Sequence, residues 1–306
     1  MKYLVTGGAG FIGSNITKFL LNRGDSVVVI DNLYTGKKKN LVDIENEIEF
    51  INGDIRNNEL LEDVISRVDG VFHQAALASV PESYTMPDEY ENVNVKGTEN
   101  VFRISSQFGL KVVYASSSSV YGDPKVIPMK EDEEIRPINP YAKTKADKEE
   151  LAKKYSNVGS KIIGLRYFNV YGIGQSKEYA GVIKLFLEQV RDKLPPNING
   201  DGTQFRDFVH VSDVVKANIL CMDKDVNSGF FNVGTNSSIT ILDLAKKIIE
   251  ISGLDIEPVF RPPLKGDVHK SLCNNELIRE TIGWKPTIKL EDWLQEIISQ
   301  RKIDQV

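Results

Sequence analysis

Leu4, Val5 and Thr6 run into three spaced glycines, Gly7, Gly10 and Gly13. Apolar residues then resume at helical intervals as Phe11, Ile12, Ile16, Phe19 and Leu20. The order is strand, tight turn, helix. A Cβ in such a turn would keep a bound group away from the backbone, and the first turn of a helix leaves N–H groups unpaired at its positive end. The pattern predicts an α/β fold that cradles a pyrophosphate at this turn. A second apolar run, Val27-Val28-Val29-Ile30, ends in Asp31, the place where a carboxylate holds the hydroxyls of an adenine ribose. The ligand implied is a dinucleotide with a free 2′-hydroxyl, NAD, because Asp31 would repel the extra phosphate of NADP.

Strand and helix patterns alternate through the first half. Strands are expected at 4–6, 27–30, 49–51, 71–73, 112–115 and 162–165, and helices near 11–23, 58–68, 88–108 and 141–155. That alternation predicts a doubly wound parallel sheet with helices on both faces. After Asn169 the rhythm changes. Helices are expected near 182–191, 212–220, 241–251, 276–282 and 290–299, with a strand at 230–233. Leu194-Pro195-Pro196 is a stop, Thr240 a helix N-cap and Gly253 a helix end. The expected organisation is a dinucleotide-binding domain over 1–172, with a returning segment near 207–235, and a smaller lobe over 173–306.

A net charge of -5 with both signs interspersed offers no basic face for nucleic acid. No apolar stretch is long enough to span a bilayer, and no signal-peptide pattern precedes the first strand. Cys221 and Cys273 have no metal-ligand spacing, and His73, His210 and His269 are scattered, so no metal site is expected. The setting implied is a reducing cytoplasm.

Val113-Tyr114-Ala115-Ser116-Ser117-Ser118-Ser119 puts a serine cluster at the carboxyl end of a buried strand, where open α/β sheets bind ligands. Tyr141 and Lys145, four apart at the start of a predicted helix, share one face. A tyrosine acts as a base near neutrality only if its pKa falls by about three units, or about 4 kcal/mol. One ammonium about 4 Å away supplies that amount at an effective dielectric of about 20, and a cationic nicotinamide ring nearby would add to it. A serine hydroxyl that hydrogen-bonds the reacting oxygen completes the set.

With these residues in view the chain resembles the extended short-chain dehydrogenase/reductase superfamily, and within it the nucleotide-sugar epimerases of the UDP-glucose and UDP-N-acetylglucosamine 4-epimerase type. The resemblance covers nearly the whole chain. It is carried by the glycine turn, Asp31-Asn32-Leu33, Gly53-Asp54-Ile55-Arg56, His73-Gln74-Ala75-Ala76 and Asn94-Val95-Lys96-Gly97-Thr98. Ser116-Ser117-Ser118, Tyr141 with Lys145, 165–172, Asn199-Gly200-Asp201-Gly202, Arg206-Asp207-Phe208 and Gly266-Asp267-Val268 complete it.

What the resemblance implies is a Rossmann-type sheet, a smaller substrate-binding C-terminal lobe, and a homodimer formed through the helices near 88–108 and 141–155. Gly7, Gly10, Phe11, Ile12 and Gly13 would hold the pyrophosphate, Asp31 and Asn32 the ribose, and Asp54 and Ile55 the adenine. Ala75 and Ala76 would lie against the cofactor, Asn94 beside its ribose region and Tyr167 beside the nicotinamide, with Tyr141 and Lys145 also in contact. Ser117, Tyr141 and Lys145 would be catalytic. Ser79, Ser117, Tyr141, Asn169, Val182, Arg206, Asp267 and Ser271 would face a UDP-sugar. Dehydratases and decarboxylases of the superfamily carry carboxylates just after the catalytic hydroxyl; this chain has Ser118 and Ser119, which favours epimerisation. Ser271 stands where enzymes confined to glucose and galactose resemble one another in a tyrosine, so N-acetylated hexoses are expected to fit, with plain hexoses also accepted. One departure is Leu264, where the family places a diphosphate-binding arginine. The rival expectations are a uronic-acid epimerase or another sugar-nucleotide enzyme on the same scaffold, and a non-catalytic dinucleotide sensor.

Overall fold

The computed structural model describes residues 1–175, 181–263, 268–300 and 302–303. The first half runs β1 (Lys2–Thr6), α1 (Phe11–Asn22), β2 (Ser26–Asp31), β3 (Glu49–Asn52), α2 (Asn58–Ile65) and β4 (Gly70–His73). It continues with α3 (Val80–Thr85), α4 (Pro87–Tyr90), a π-helical turn (Glu91–Lys96), α5 (Gly97–Gln107), β5 (Lys111–Ser117), α6 (Pro140–Ser156), β6 (Ile162–Tyr167) and β7 (Asn169–Tyr171). Then come α7 (Val182–Arg191), β8 (Asn197–Asn199), β9 (Phe205–Arg206), β10 (Phe208–His210), α8 (Val211–Asp223) and β11 (Ser228–Val233). The chain closes with β12 (Ile239–Thr240), α9 (Ile241–Ser252), β13 (Val259–Arg261), α10 (Glu276–Ile282) and α11 (Leu290–Ser299).

Seven strands form one parallel sheet in the order β11-β6-β5-β4-β1-β2-β3. The order reverses between β1 and β4, so a crevice opens at their carboxyl ends, where the Gly7 turn and the segment after His73 meet. Strand alternation supplies the two faces. Tyr3, Val5, Val27, Val29 and Phe72 pack on one side with Ile16 and Leu20 of α1 and Val214 of α8. Leu4, Val28, Ile30 and Val71 pack on the other with Leu61 of α2 and Val101 and Phe102 of α5. A separate apolar cluster joins Ile183 and Phe186 of α7, Leu244 and Ile248 of α9, and Trp293 and Leu294 of α11.

Local chemistry sets several ends. Asn139 caps α6 by accepting from Ala142 N at 2.8 Å, with Pro140 in the first turn. Thr240 caps α9 by accepting from Asp243 N at 3.0 Å, and Gly253 ends it in the left-handed conformation. The helix expected over 88–108 is instead two α-helices around the π turn. Such a turn absorbs one extra residue and re-aims its side chains, and here it carries Asn94. The helix expected to reach 68 stops at Ile65. No helix among the described residues is long and apolar enough to cross a membrane.

Candidate active site

The turn after β1 is held by its own backbone. Gly7 N donates to Ile30 O at 2.8 Å and Gly10 N to Gly7 O at 3.0 Å. Gly7 has φ +68, and a Cβ there would lie 2.7 Å from Ala75 N. No side chain caps α1 and no acid stands in its first turn, so its amino end is open to an anion. Asp31 completes the cradle: its carboxylate accepts from Ala9 N at 2.9 Å and Leu33 N at 2.8 Å. Asn40, which the motif search passed over, holds the other side of the same residue, donating to Ala9 O at 2.9 Å.

Asn32 donates to Asp54 at 3.0 Å, linking the two loops expected to hold adenosine. Arg56 grips the same carboxylate through Nε at 2.9 Å and Nη2 at 2.8 Å, which pulls the Asp54 pKa down to about 2. Gly7, Gly10, Phe11, Ile12, Gly13, Asp31, Asn32, Asp54, Ile55, Ala75, Ala76, Ser117, Tyr141, Lys145 and Tyr167 line one continuous cleft. A glycine turn that a Cβ would fill, an uncapped helix start and an acid at the ribose position fit NAD.

Asn94 is the exception among the expected cofactor residues. Its amide is fully buried, accepting from Leu77 N at 2.8 Å and donating to Leu77 O at 3.0 Å and Thr144 Oγ1 at 3.0 Å. It joins the loop after β4 to α6 rather than facing the cleft. Beneath it a hydrogen-bond chain has one direction. Thr98 Oγ1 donates to Asn94 O, so it accepts from His73 Nε2 at 2.8 Å, and His73 Nδ1 then accepts from Thr6 at 2.7 Å. Burial, with Lys148 and Lys145 nearby, keeps this imidazole neutral by pushing its pKa well down.

Ser117 ends β5, and Tyr141 and Lys145 lie on α6. The Lys145 ammonium is 5.6 Å from the centroid of the Tyr141 ring and donates to Ala115 O at 3.0 Å. Lys148, also buried, reaches the same carbonyl at 3.4 Å. The expected acidification of the phenol by Lys145, with a cationic nicotinamide adding to it, meets an opposing effect in the unliganded cleft. Burial raises the Tyr141 pKa, opposed by a hydrogen bond with Ser117. Burial also lowers Lys145 to about 8, although Glu149 pulls it up. Glu149 is otherwise committed: Arg166 binds both its oxygens at 2.9 and 2.7 Å, and Ser116 donates to it at 2.6 Å.

The expected sugar-nucleotide residues come from both halves of the chain, Ser117 and Tyr141 lining the cleft already described. Asn169 Nδ2 donates to Asp207 O at 3.0 Å and lies 3.5 Å from Ser271 Oγ. Arg206 Nη1 donates to Phe205 O at 2.9 Å, and Val182 opens α7. Ser79 caps α3, accepting from Glu82 N at 3.2 Å. Asp267 and Leu264 lie outside the described residues.

A model of the NAD dependent epimerase/dehydratase family matches residues 3–234. The chain belongs to that family. It is similar to a putative UDP-glucose 4-epimerase of Methanocaldococcus jannaschii, 37% identical over 98% of each chain. Among solved structures it resembles the UDP-glucose 4-epimerase of Thermotoga maritima with UDP-glucose, at TM-score 0.93 and 38% identity over 99% of each chain. It also resembles the UDP-N-acetylglucosamine 4-epimerase of Methanobrevibacter ruminantium in complex with UDP-N-acetylmuramic acid, at TM-score 0.93 and 36% identity over 100% of this chain and 99% of that one.

Within this family member, two cleft features carry contacts that no local sequence pattern assigns. Arg56 was visible only as part of a motif, and its grip on Asp54 depends on a turn of the chain. Gln74, Tyr167 and Asn218 form a polar cluster, with the Tyr167 hydroxyl 3.2 Å from Gln74 Oε1 and 3.0 Å from Asn218 Oδ1. No spacing rule joins residues that far apart in sequence.

Proposed function

We propose that this NAD-dependent UDP-sugar 4-epimerase interconverts UDP-N-acetylglucosamine and UDP-N-acetylgalactosamine, and accepts UDP-glucose and UDP-galactose as well. The observation that carries the reading is the convergence of Ser117, Tyr141 and Lys145 on one cleft with the glycine turn and Asp31. The absence of a carboxylate at Ser118 and Ser119 supports epimerisation over water loss or decarboxylation. The small Ser271 side chain beside Asn169 supports the N-acetylated substrates.

Tyr141 takes the proton from the sugar 4-hydroxyl, and Ser117 hydrogen-bonds the same oxygen. The glycine turn, Asp31 and Asp54 would hold NAD, which when bound would supply reversible hydride acceptance from the sugar C4. Between the two transfers the flat 4-keto sugar turns over while Arg206 and Asn169 keep its diphosphate in place. Lys145 holds the helix and strand that carry the two hydroxyls at fixed separation through Ala115.

The 173–306 segment acts as the nucleotide-sugar lobe in this account. A homodimer would form through α5 and α6, whose outward residues include Glu99, Lys143, Asp147, Glu150 and Lys154, so the contact would be polar. The two unpaired, buried cysteines support a reducing cytoplasm. The test is to incubate the purified protein with each UDP-sugar and chromatograph the products. A mixture of C4 epimers from UDP-GalNAc supports the proposal; unchanged UDP-GalNAc beside converted UDP-galactose removes the N-acetyl assignment.

A further inference from the structure

The loops that carry the expected adenosine residues are both tied to one short segment across the mouth of the cleft. Tyr34, three residues after Asp31, donates to Glu82 of α3 at 3.1 Å. Arg56, two residues after Asp54, binds Glu89 of α4 at 3.0 Å. Tyr34, Arg56 and Glu89 all border the cleft.

Both ties are exposed, and each is held in place by neighbouring groups. Leu33 takes φ +59, a left-handed conformation that disfavours a non-glycine residue, and the Asp31 carboxylate holds it there by accepting Leu33 N at 2.8 Å. The acid expected to bind ribose therefore also aims Tyr34 at Glu82. On the other side the buried Tyr90 hydroxyl, whose one proton is shared between two acceptors, lies 2.9 Å from the second Glu82 oxygen and 2.7 Å from Ser79 O, which places Glu82 against the protein. Arg56 is braced by its grip on Asp54, so the second tie likewise ends on a residue expected to touch the cofactor.

We propose that the Tyr34–Glu82 and Arg56–Glu89 contacts form a two-point clasp that retains the dinucleotide. An epimerase regenerates its cofactor in every cycle, so release serves no step of the reaction and slow exchange preserves the active form. The inference rests on the NAD-dependent reading above. The dinucleotide leaves only when both ties open, while the sugar nucleotide enters from the other half of the cleft and needs neither.

The clasp is tested by loading the protein with NAD and timing exchange into excess isotope-labelled NAD. Tyr34→Phe removes one hydroxyl from a side chain that is 54% exposed, and Glu89→Gln removes one exposed charge, so neither threatens the core. Exposed contacts of this kind are weak singly, and each loss should quicken exchange about threefold, the pair about tenfold. Turnover with NAD in excess should stay at the wild-type level. A double variant that exchanges at least threefold faster than wild type supports the clasp, and anything slower overturns it. Wild-type protein that takes up no NAD would instead overturn the cofactor reading, so the two failures are distinct.

Discussion

Lys145 Nζ donates to the carbonyl oxygen of Ala115 at 3.0 Å and stands 5.6 Å from the centre of the Tyr141 ring. The cation is spent on the strand end as much as on the phenol. Burial raises the phenol pKa and lowers that of the amine to about 8, so the unliganded site favours a neutral tyrosine. The oxidised nicotinamide ring, whose positive charge would lie in the same cleft, is expected to stabilise the phenolate further.

Tyr141 should therefore titrate above 10 without cofactor and at a lower pH with NAD bound. Ultraviolet difference spectra against the Tyr141→Phe variant isolate this one phenol. A titration curve that NAD leaves in place would show that the cofactor does not activate the base.

Tyr141→Phe should keep its NAD and lose epimerisation by about a thousandfold or more, since general-base catalysis is worth about two to four orders of magnitude before the lost hydrogen bond is added. Assaying bound nucleotide and turnover on one preparation separates the two effects. Turnover within tenfold of wild type would take Tyr141 out of its role.

Ser271→Tyr should reduce kcat/KM for UDP-GalNAc at least tenfold more than for UDP-galactose, because the ring would occupy space beside Asn169 now bordered by a hydroxyl. Equal losses on both sugars would show that Ser271 does not set the width of the pocket.

His210 gives a stability signature away from the chemistry. Its Nδ1 accepts from Ser212 N at 3.2 Å, capping α8, and its ring packs on Tyr171 and Trp293. Burial lowers its pKa to about 4, with Asp213 opposing. Because the folded value lies below the unfolded value of about 6.5, the unfolded chain binds the proton first. The contribution of neutral His210 is whole above about pH 6.5 and is lost as pH falls towards 4. Its size is on the order of 3 kcal/mol. His210→Asn keeps an acceptor for the cap, and its melting temperature should fall less steeply between pH 6.5 and 4.5. Parallel slopes would assign the acid sensitivity to other groups.

The parts of this molecule legible in sequence were those written in short-range pattern. The seven-strand parallel sheet, the α9 cap at Thr240 and its end at Gly253 each follow from a few neighbouring residues. The same holds for Tyr141 and Lys145, whose common face needs only helical geometry. The π turn was hidden because no residue type in Glu91–Lys96 marks one, and tertiary packing of Asn94 on Leu77 and Thr144 accompanies the wider turn. The two-residue strands β9 and β12 were hidden because they are held by one another, across a gap in sequence that no periodicity spans. The second lysine at Ala115 was hidden for a related reason. Lys148 reads as one more polar residue of α6 until Tyr114 and Ala115 of β5 pack against its ammonium.

The measurement that bears most directly on the central claim uses the protein as purified, with no cofactor added. Bound nucleotide is released and identified, and the same preparation is given UDP-galactose and UDP-GalNAc. The account predicts stoichiometric NAD and conversion of both sugars to their C4 epimers. A chain that carries no dinucleotide, acquires none from solution and leaves both sugars unchanged would contradict it.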